Sequence, residues 1–170
     1  MKTRSKTLLL VDADADCEHV VSQAASRANY QVLLAQTSAA AFQITRNKIR
    51  HIDLIMIDID PGAHGLALLE AITACAERPP TIVVTALEEV YMGPIAAEHG
   101  AAVCLGKPLH LPRLILTLRD ISVHGGLTCN RWGSLIPPPV REPVNGQGRF
   151  RGIAARLSAS RKDSVVKSRK

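Results

Sequence analysis

The stretch DLIMIDIDPGAHG, residues 53–65, decides the fold. Leu54, Ile55, Met56, Ile57 and Ile59 are apolar, yet Asp58 stands among them, and Asp60, Pro61, Gly62 and Gly65 follow. An apolar run of this length reads as a buried strand, and the Pro and Gly after it read as a loop. A carboxylate at the end of such a strand is tolerable where the strand emerges into a solvated cleft.

Working outward, the first 122 residues repeat this pattern. Short apolar runs occur at 7–11, 31–35, 53–57, 81–85 and 102–105. Their near-continuous apolarity suits a parallel sheet covered on both faces. Between them lie segments with helical spacing. Residues 16–28 align Val20, Val21, Ala24, Ala25 and Ala28, and residues 38–48 align Ala40, Ala41, Ile44 and Lys48. Residues 65–76 align Leu66, Leu69, Ile72 and Thr73, and residues 110–121 align Leu111, Leu114, Ile115, Leu118 and Ile121. Between Ala86 and Gly100 the pattern weakens at Gly93-Pro94. Proline suits a first helical turn and not a later one, so the fourth helix is expected to start near Pro94, with residues 87–92 as a loop. Five strand–helix units predict an open α/β sheet with right-handed crossovers.

Composition divides the chain. Residues 1–122 hold 11 Lys+Arg against 13 Asp+Glu, net −2, whereas residues 123–170 hold 10 against 2, net +8. The overall +6 thus belongs to the C-terminal part and does not mark the α/β domain as a nucleic-acid binder. Residues 123–148 are rich in Gly and Pro and read as an extended, mobile linker. Residues 149–170 are basic, with Phe150, Ile153, Ala154 and Leu157 at the spacing of a short amphipathic helix. No base-reading pattern is visible, so sequence-specific DNA binding is not expected. Cys17, Cys75, Cys104 and Cys129 form no CxxC pair and no zinc spacing, and read as reduced thiols of a cytoplasmic protein. No run approaches the roughly 20 apolar residues of a membrane helix.

In open α/β sheets, ligands bind at the carboxyl ends of the strands. The residues delivered there are Asp12, with Asp14 and Asp16 beyond it, then Asp58, Thr85 and Lys107. Clustered carboxylates need a cation, and oxygen ligands suit hydrated Mg²⁺. A lysine offers a point charge and a threonine a hydroxyl donor to a phosphoryl oxygen. Together they fit phosphoryl transfer onto a carboxylate. Asp14 and Asp16 also suit an N-cap of the first helix.

The motifs LLLVDADAD, DLIMIDIDPGAHG, TIVVTALEE and GAAVCLGKPLHLPRL occur in that order through about residues 6–122. Together they resemble the receiver domain of two-component response regulators. The resemblance implies a flavodoxin-like (βα)5 doubly wound parallel sheet of order 2-1-3-4-5. It implies that Asp58 is the phospho-acceptor of a sensor histidine kinase or phosphotransfer protein. It further implies that Lys107 contacts the phosphoryl group and that Thr85 reports it. Asp12, Asp58 and the backbone carbonyl of Asp60 would hold Mg²⁺, with Asp14 as a further candidate ligand. The chain departs from the family pattern at four places. Ala13 stands where a second acid usually supplies a metal ligand. The loop after Asp58 is shorter by one residue. Cys104 stands where an aromatic residue usually rotates on activation. Gly93-Pro94 interrupts the surface through which receivers signal. The function expected is signalling through protein–protein contacts, not an enzyme activity on a separate substrate. The alternative is a phosphorylation-independent binding module whose basic C-terminal segment contacts a partner or a polyanion.

Overall fold

The computed structural model describes residues 4–59, 65–75 and 78–124. These form β1 (Lys6–Val11), α1 (Ala15–Arg27), β2 (Tyr30–Ala35), α2 (Ser38–Lys48), β3 (Leu54–Asp58), α3 (Gly65–Thr73), β4 (Thr81–Thr85), α4 (Glu89–Glu98), β5 (Val103–Gly106) and α5 (Leu111–His124). A short 3-10 turn, Ile49–His51, follows α2. The five strands are parallel, in the flavodoxin-like order 2-1-3-4-5. Val123 and His124 close α5; the rest of the Gly/Pro-rich stretch and the basic segment 149–170 lie outside the described residues.

The alternation of side chains along each strand sorts the core into two layers. Leu8, Leu10, Leu54, Met56, Ile82 and Val84 pack with Val21 and Ala25 of α1 and with Leu114 and Leu118 of α5. Leu9, Val11, Ile55, Ile57 and Val83 pack with Ala41 of α2, Leu69 and Ile72 of α3 and Met92 and Ala96 of α4. β1 lies between β2 and β3, and Leu8, Leu9 and Leu10 are fully buried. Leu69 is also fully buried, so Leu69→Ala is expected to cost about 3 kcal/mol in denaturant unfolding, from lost burial plus a cavity. Leu116→Ala, at a position 61% exposed, should move the midpoint by less than about 0.5 kcal/mol. Equal shifts would contradict the layer assignment.

Two features differ from the sequence expectations. In α2, Ala41 is buried and Ile44 half-buried as expected, but Ala40 and Lys48 are exposed and Thr45 is buried instead. Thr45 enters the core because its hydroxyl donates to the Phe42 carbonyl at 3.0 Å, so no polar atom is stranded. The second difference is larger. α4 begins at Glu89, not near Pro94, and carries Pro94 within it. Proline there removes one intrahelical hydrogen bond, toward the carbonyl of Val90. Val90 is 62% exposed, so water can take that carbonyl, while Met92 and Ala96 are buried and hold the helix on the sheet. Tertiary packing outweighs the local penalty.

Candidate functional site: an acid pocket bridged by Lys107

Because all strands run parallel, their carboxyl ends share one edge of the sheet. Asp12 follows β1, Asp58 ends β3, Thr85 ends β4 and Lys107 follows β5. Lys107 crosses this edge. Its Nζ lies 2.9 Å from Asp58 Oδ2, 3.3 Å from Asp12 Oδ2 and 3.7 Å from Asp14 Oδ2. Residues far apart in sequence are thus joined by one ammonium. The backbone sets its reach: Lys107 N–H donates to the Thr85 carbonyl at 2.7 Å. The Lys107–Pro108 peptide bond is cis.

The acids differ in their surroundings. The Asp12 side chain is almost wholly buried, 1% exposed, whereas that of Asp14 is 47% exposed. Asp12 Oδ1 accepts the Asp14 N–H at 2.8 Å, which holds the carboxylate in place. Asp14 Oδ1 accepts the Asp16 N–H at 3.0 Å and so caps α1. Asp58 and Lys107 are largely buried, at 15% and 17% side-chain exposure. Thr85 is fully buried, and its Oγ1 accepts the Leu87 N–H at 3.0 Å, leaving its own proton to donate. Asp60 lies outside the described residues, so its carbonyl has no place in this geometry.

Burial works against the charge of Lys107, but the hydrogen bond to Asp58 and the charge of Asp12 outweigh it. The ammonium is therefore held above the ordinary lysine range. Cys17, read from sequence as an ordinary thiol, sits beside the pocket. Burial first, then the neighbouring Asp12 carboxylate, pushes this thiol well above the usual cysteine range. It is a packing residue that also faces Asp12. Cys17, Cys75 and Cys104 are free thiols.

Among the described residues, no group of three or more His, Cys, Asp or Glu side chains is arranged to hold a metal ion. The two carboxylates of Asp12 and Asp58 nevertheless fit Mg²⁺, which keeps several waters and binds through one or two carboxylates plus phosphate oxygens. Asp12 Oδ2 is buried and makes no hydrogen bond, its neighbour being the Lys107 ammonium. Such an oxygen suits a cation. Ala13 contributes nothing to that set.

The chain matches the response regulator receiver domain family over residues 8–119. The two-component response regulator-like protein APRR5 of Arabidopsis thaliana is 28% identical over 166 residues, covering 95% of this chain and 28% of that protein. The chain spans just over a quarter of the length of the curated relatives it matches. A response regulator from Thermotoga maritima has a similar structure, with TM-score 0.62 and 23% identity, covering 69% of this chain and 97% of that one. A response regulator from Burkholderia pseudomallei, solved with a phosphorylated aspartic acid, calcium ion and citrate, aligns with TM-score 0.57 and 20% identity over 69% of this chain and 68% of that one. With the five-stranded sheet, its order and the matched span in agreement, the chain belongs to the response regulator receiver domain family.

Proposed function

We propose that this chain is a signalling component of a two-component phosphorelay, phosphorylated on Asp58 by a sensor histidine kinase or a phosphotransfer protein. One observation carries the reading: Lys107 Nζ stands 2.9 Å from Asp58 Oδ2 and 3.3 Å from Asp12 Oδ2. In the transfer, an Asp58 oxygen attacks the phosphorus of a phosphohistidine. The O–P bond forms as the P–N bond breaks, and the imidazole leaves with its electron pair. Positioning and charge neutralisation dominate such a step. Lys107 is placed to meet the negative charge of the incoming group. Thr85 retains a hydroxyl proton for a phosphoryl oxygen. Asp12 and Asp58 would hold Mg²⁺, which supplies charge neutralisation at the phosphoryl oxygens when bound. The Burkholderia pseudomallei relative carries both a phosphorylated aspartate and a divalent ion, which supports the same chemistry here.

The phosphorylated state would signal through α4, β5 and α5. Residues 1–122 form the receiver-like unit in this reading. A second reading has one observation in its favour. Lys107 already pairs with Asp58 and Asp12 and lies near Asp14, and Ala13 adds no metal ligand. In that case the domain is a binding module that needs no phosphoryl group.

A small phosphodonor with Mg²⁺ separates the two. Wild type is expected to gain one hydroxylamine-sensitive phosphoryl group, and Asp58→Asn none. Equal labelling of the variant, or no labelling of wild type, would remove the first reading and leave the second.

A further inference from the structure

Among the described residues β5 is an edge strand, with no strand paired along its outer side. Ala102 N–H donates to the Thr81 carbonyl at 2.8 Å and Lys107 N–H to the Thr85 carbonyl at 2.7 Å. The register between β4 and β5 runs unbroken from Ile82–Val103 to Thr85–Gly106, and the Lys107 bond continues it. Alternate N–H groups of β5 face outward, and that of Gly106 donates to Glu89 Oε1 at 2.7 Å. Glu89 opens α4, on one side of the sheet, while Arg113 lies in the first turn of α5, on the other. Arg113 donates to both Glu89 oxygens, Nη1 to Oε1 at 2.5 Å and Nη2 to Oε2 at 2.8 Å. The pair therefore closes around the sheet edge. A Cβ at position 106 would lie 3.2 Å from Glu89 Cγ, so glycine is what lets the glutamate come so near.

We propose that Glu89 and Arg113 form a latch between α4 and the strand end that carries Lys107. The latch has a closed and an open state, and the hold of Lys107 on the acid pocket favours the closed one. Gly106 and Lys107 are consecutive, so a displacement of the lysine is felt at the Gly106 N–H within one Cα–Cα step. The N-cap of α4, Glu88, makes no side-chain capping bond, so buried Met92 and the contacts of Glu89 are what fix its first turns. Val90 and Tyr91 are 62% and 69% exposed, so opening the latch moves an apolar surface. Cys104 lies within electrostatic reach of both latch residues. This inference goes beyond the phosphorelay reading and does not need Asp58 to be phosphorylated.

Cys104 provides the reporter. Burial first, then the charge of Glu89, push its thiol up to about 11, against Arg113. Replacing Arg113 by Gln removes a cation that lowers this value, so electrostatics alone would slow alkylation of Cys104. Opening the latch would speed it. The full chain is treated with iodoacetamide and the rate at Cys104 is read by peptide mass relative to Cys75, which is exposed. Arg113→Gln is expected to raise that ratio at least about fivefold, the lower end of couplings between sites. Lys107→Ala should raise it similarly. The double variant should not exceed the larger single effect, because both open one element. Where Arg113→Gln does not fold, Arg113→Lys keeps the charge but loses the two-pronged pairing, and the same rise is expected. An unchanged or lower ratio in the folded Arg113 variant, no effect of Lys107→Ala, or fully multiplied effects in the double variant would overturn the latch.

Discussion

Lys107→Met unfolds at a lower denaturant concentration than wild type, with a loss of about 3 kcal/mol near neutral pH. The size follows from what is left behind. Asp12, Asp14 and Asp58 then face one another without the ammonium, and the Asp12 side chain is 1% exposed. Breaking a buried charge cluster costs more than forming it gains, because the remaining charges are desolvated and unpaired. The pH dependence has a definite sign. Lys107 is held above the ordinary lysine value of 10.5, so its charge stabilises the fold fully below that value. The contribution fades only as pH rises through the higher folded-state value. The gap between wild type and variant should therefore persist from neutral pH to about the lysine range and narrow above it. Mg²⁺ should recover part of the loss in the variant, since an ion that binds only the folded pocket stabilises it by mass action. Lys48→Met, on the exposed side of α2, should change stability by less than about 0.5 kcal/mol. A Lys107→Met chain as stable as wild type would show that the ammonium does not hold the pocket together.

Ala13→Asp raises the affinity for Mg²⁺ at least about tenfold, roughly 1.4 kcal/mol, by calorimetry on the full chain. Ala13 is exposed and adjoins Asp12, where a third carboxylate adds both charge and a ligand oxygen. Asp14 does not fill that place, since one of its oxygens caps α1 and the other lies 3.7 Å from Lys107. The added acid is expected to draw the cation into competition with Lys107 for Asp58. Unchanged affinity would mean that Asp12 and Asp58 are not the metal-holding pair.

Much of the fold is legible in the sequence because a doubly covered parallel strand leaves a strong local signal. The apolar runs at 7–11 and 81–85 need no long-range information to be recognised. The strand-end rule then brings Asp12, Asp58 and Lys107 to one edge before any coordinates exist, and the structure joins them through one ammonium. The failures also have local causes. The Ala-rich start of α2 gives little contrast between faces, so the buried stripe is misjudged around Ala40 and Thr45. Pro94 dominates any local reading of α4, whereas burial of Met92 and Ala96 decides the outcome. Starting α4 near Pro94 places Glu89 in a loop, where it has no reason to meet Arg113. Their contact depends on a helix start and a sheet edge together, and neither residue type announces it. Cys17 was hidden differently, because a small buried thiol on an apolar stripe looks like packing alone.

The placement of the acceptor rests most directly on one chemical mapping. Wild-type full chain is exposed to a small phosphodonor with Mg²⁺, reduced with borohydride and sequenced by peptide mass. Reduction converts an aspartyl phosphate to homoserine and leaves free carboxylates unchanged. Homoserine at residue 58, absent when the phosphodonor is omitted, is the expected result. Homoserine at Asp12, Asp14 or another acid, or none at any position, would contradict the assignment of Asp58 as the acceptor.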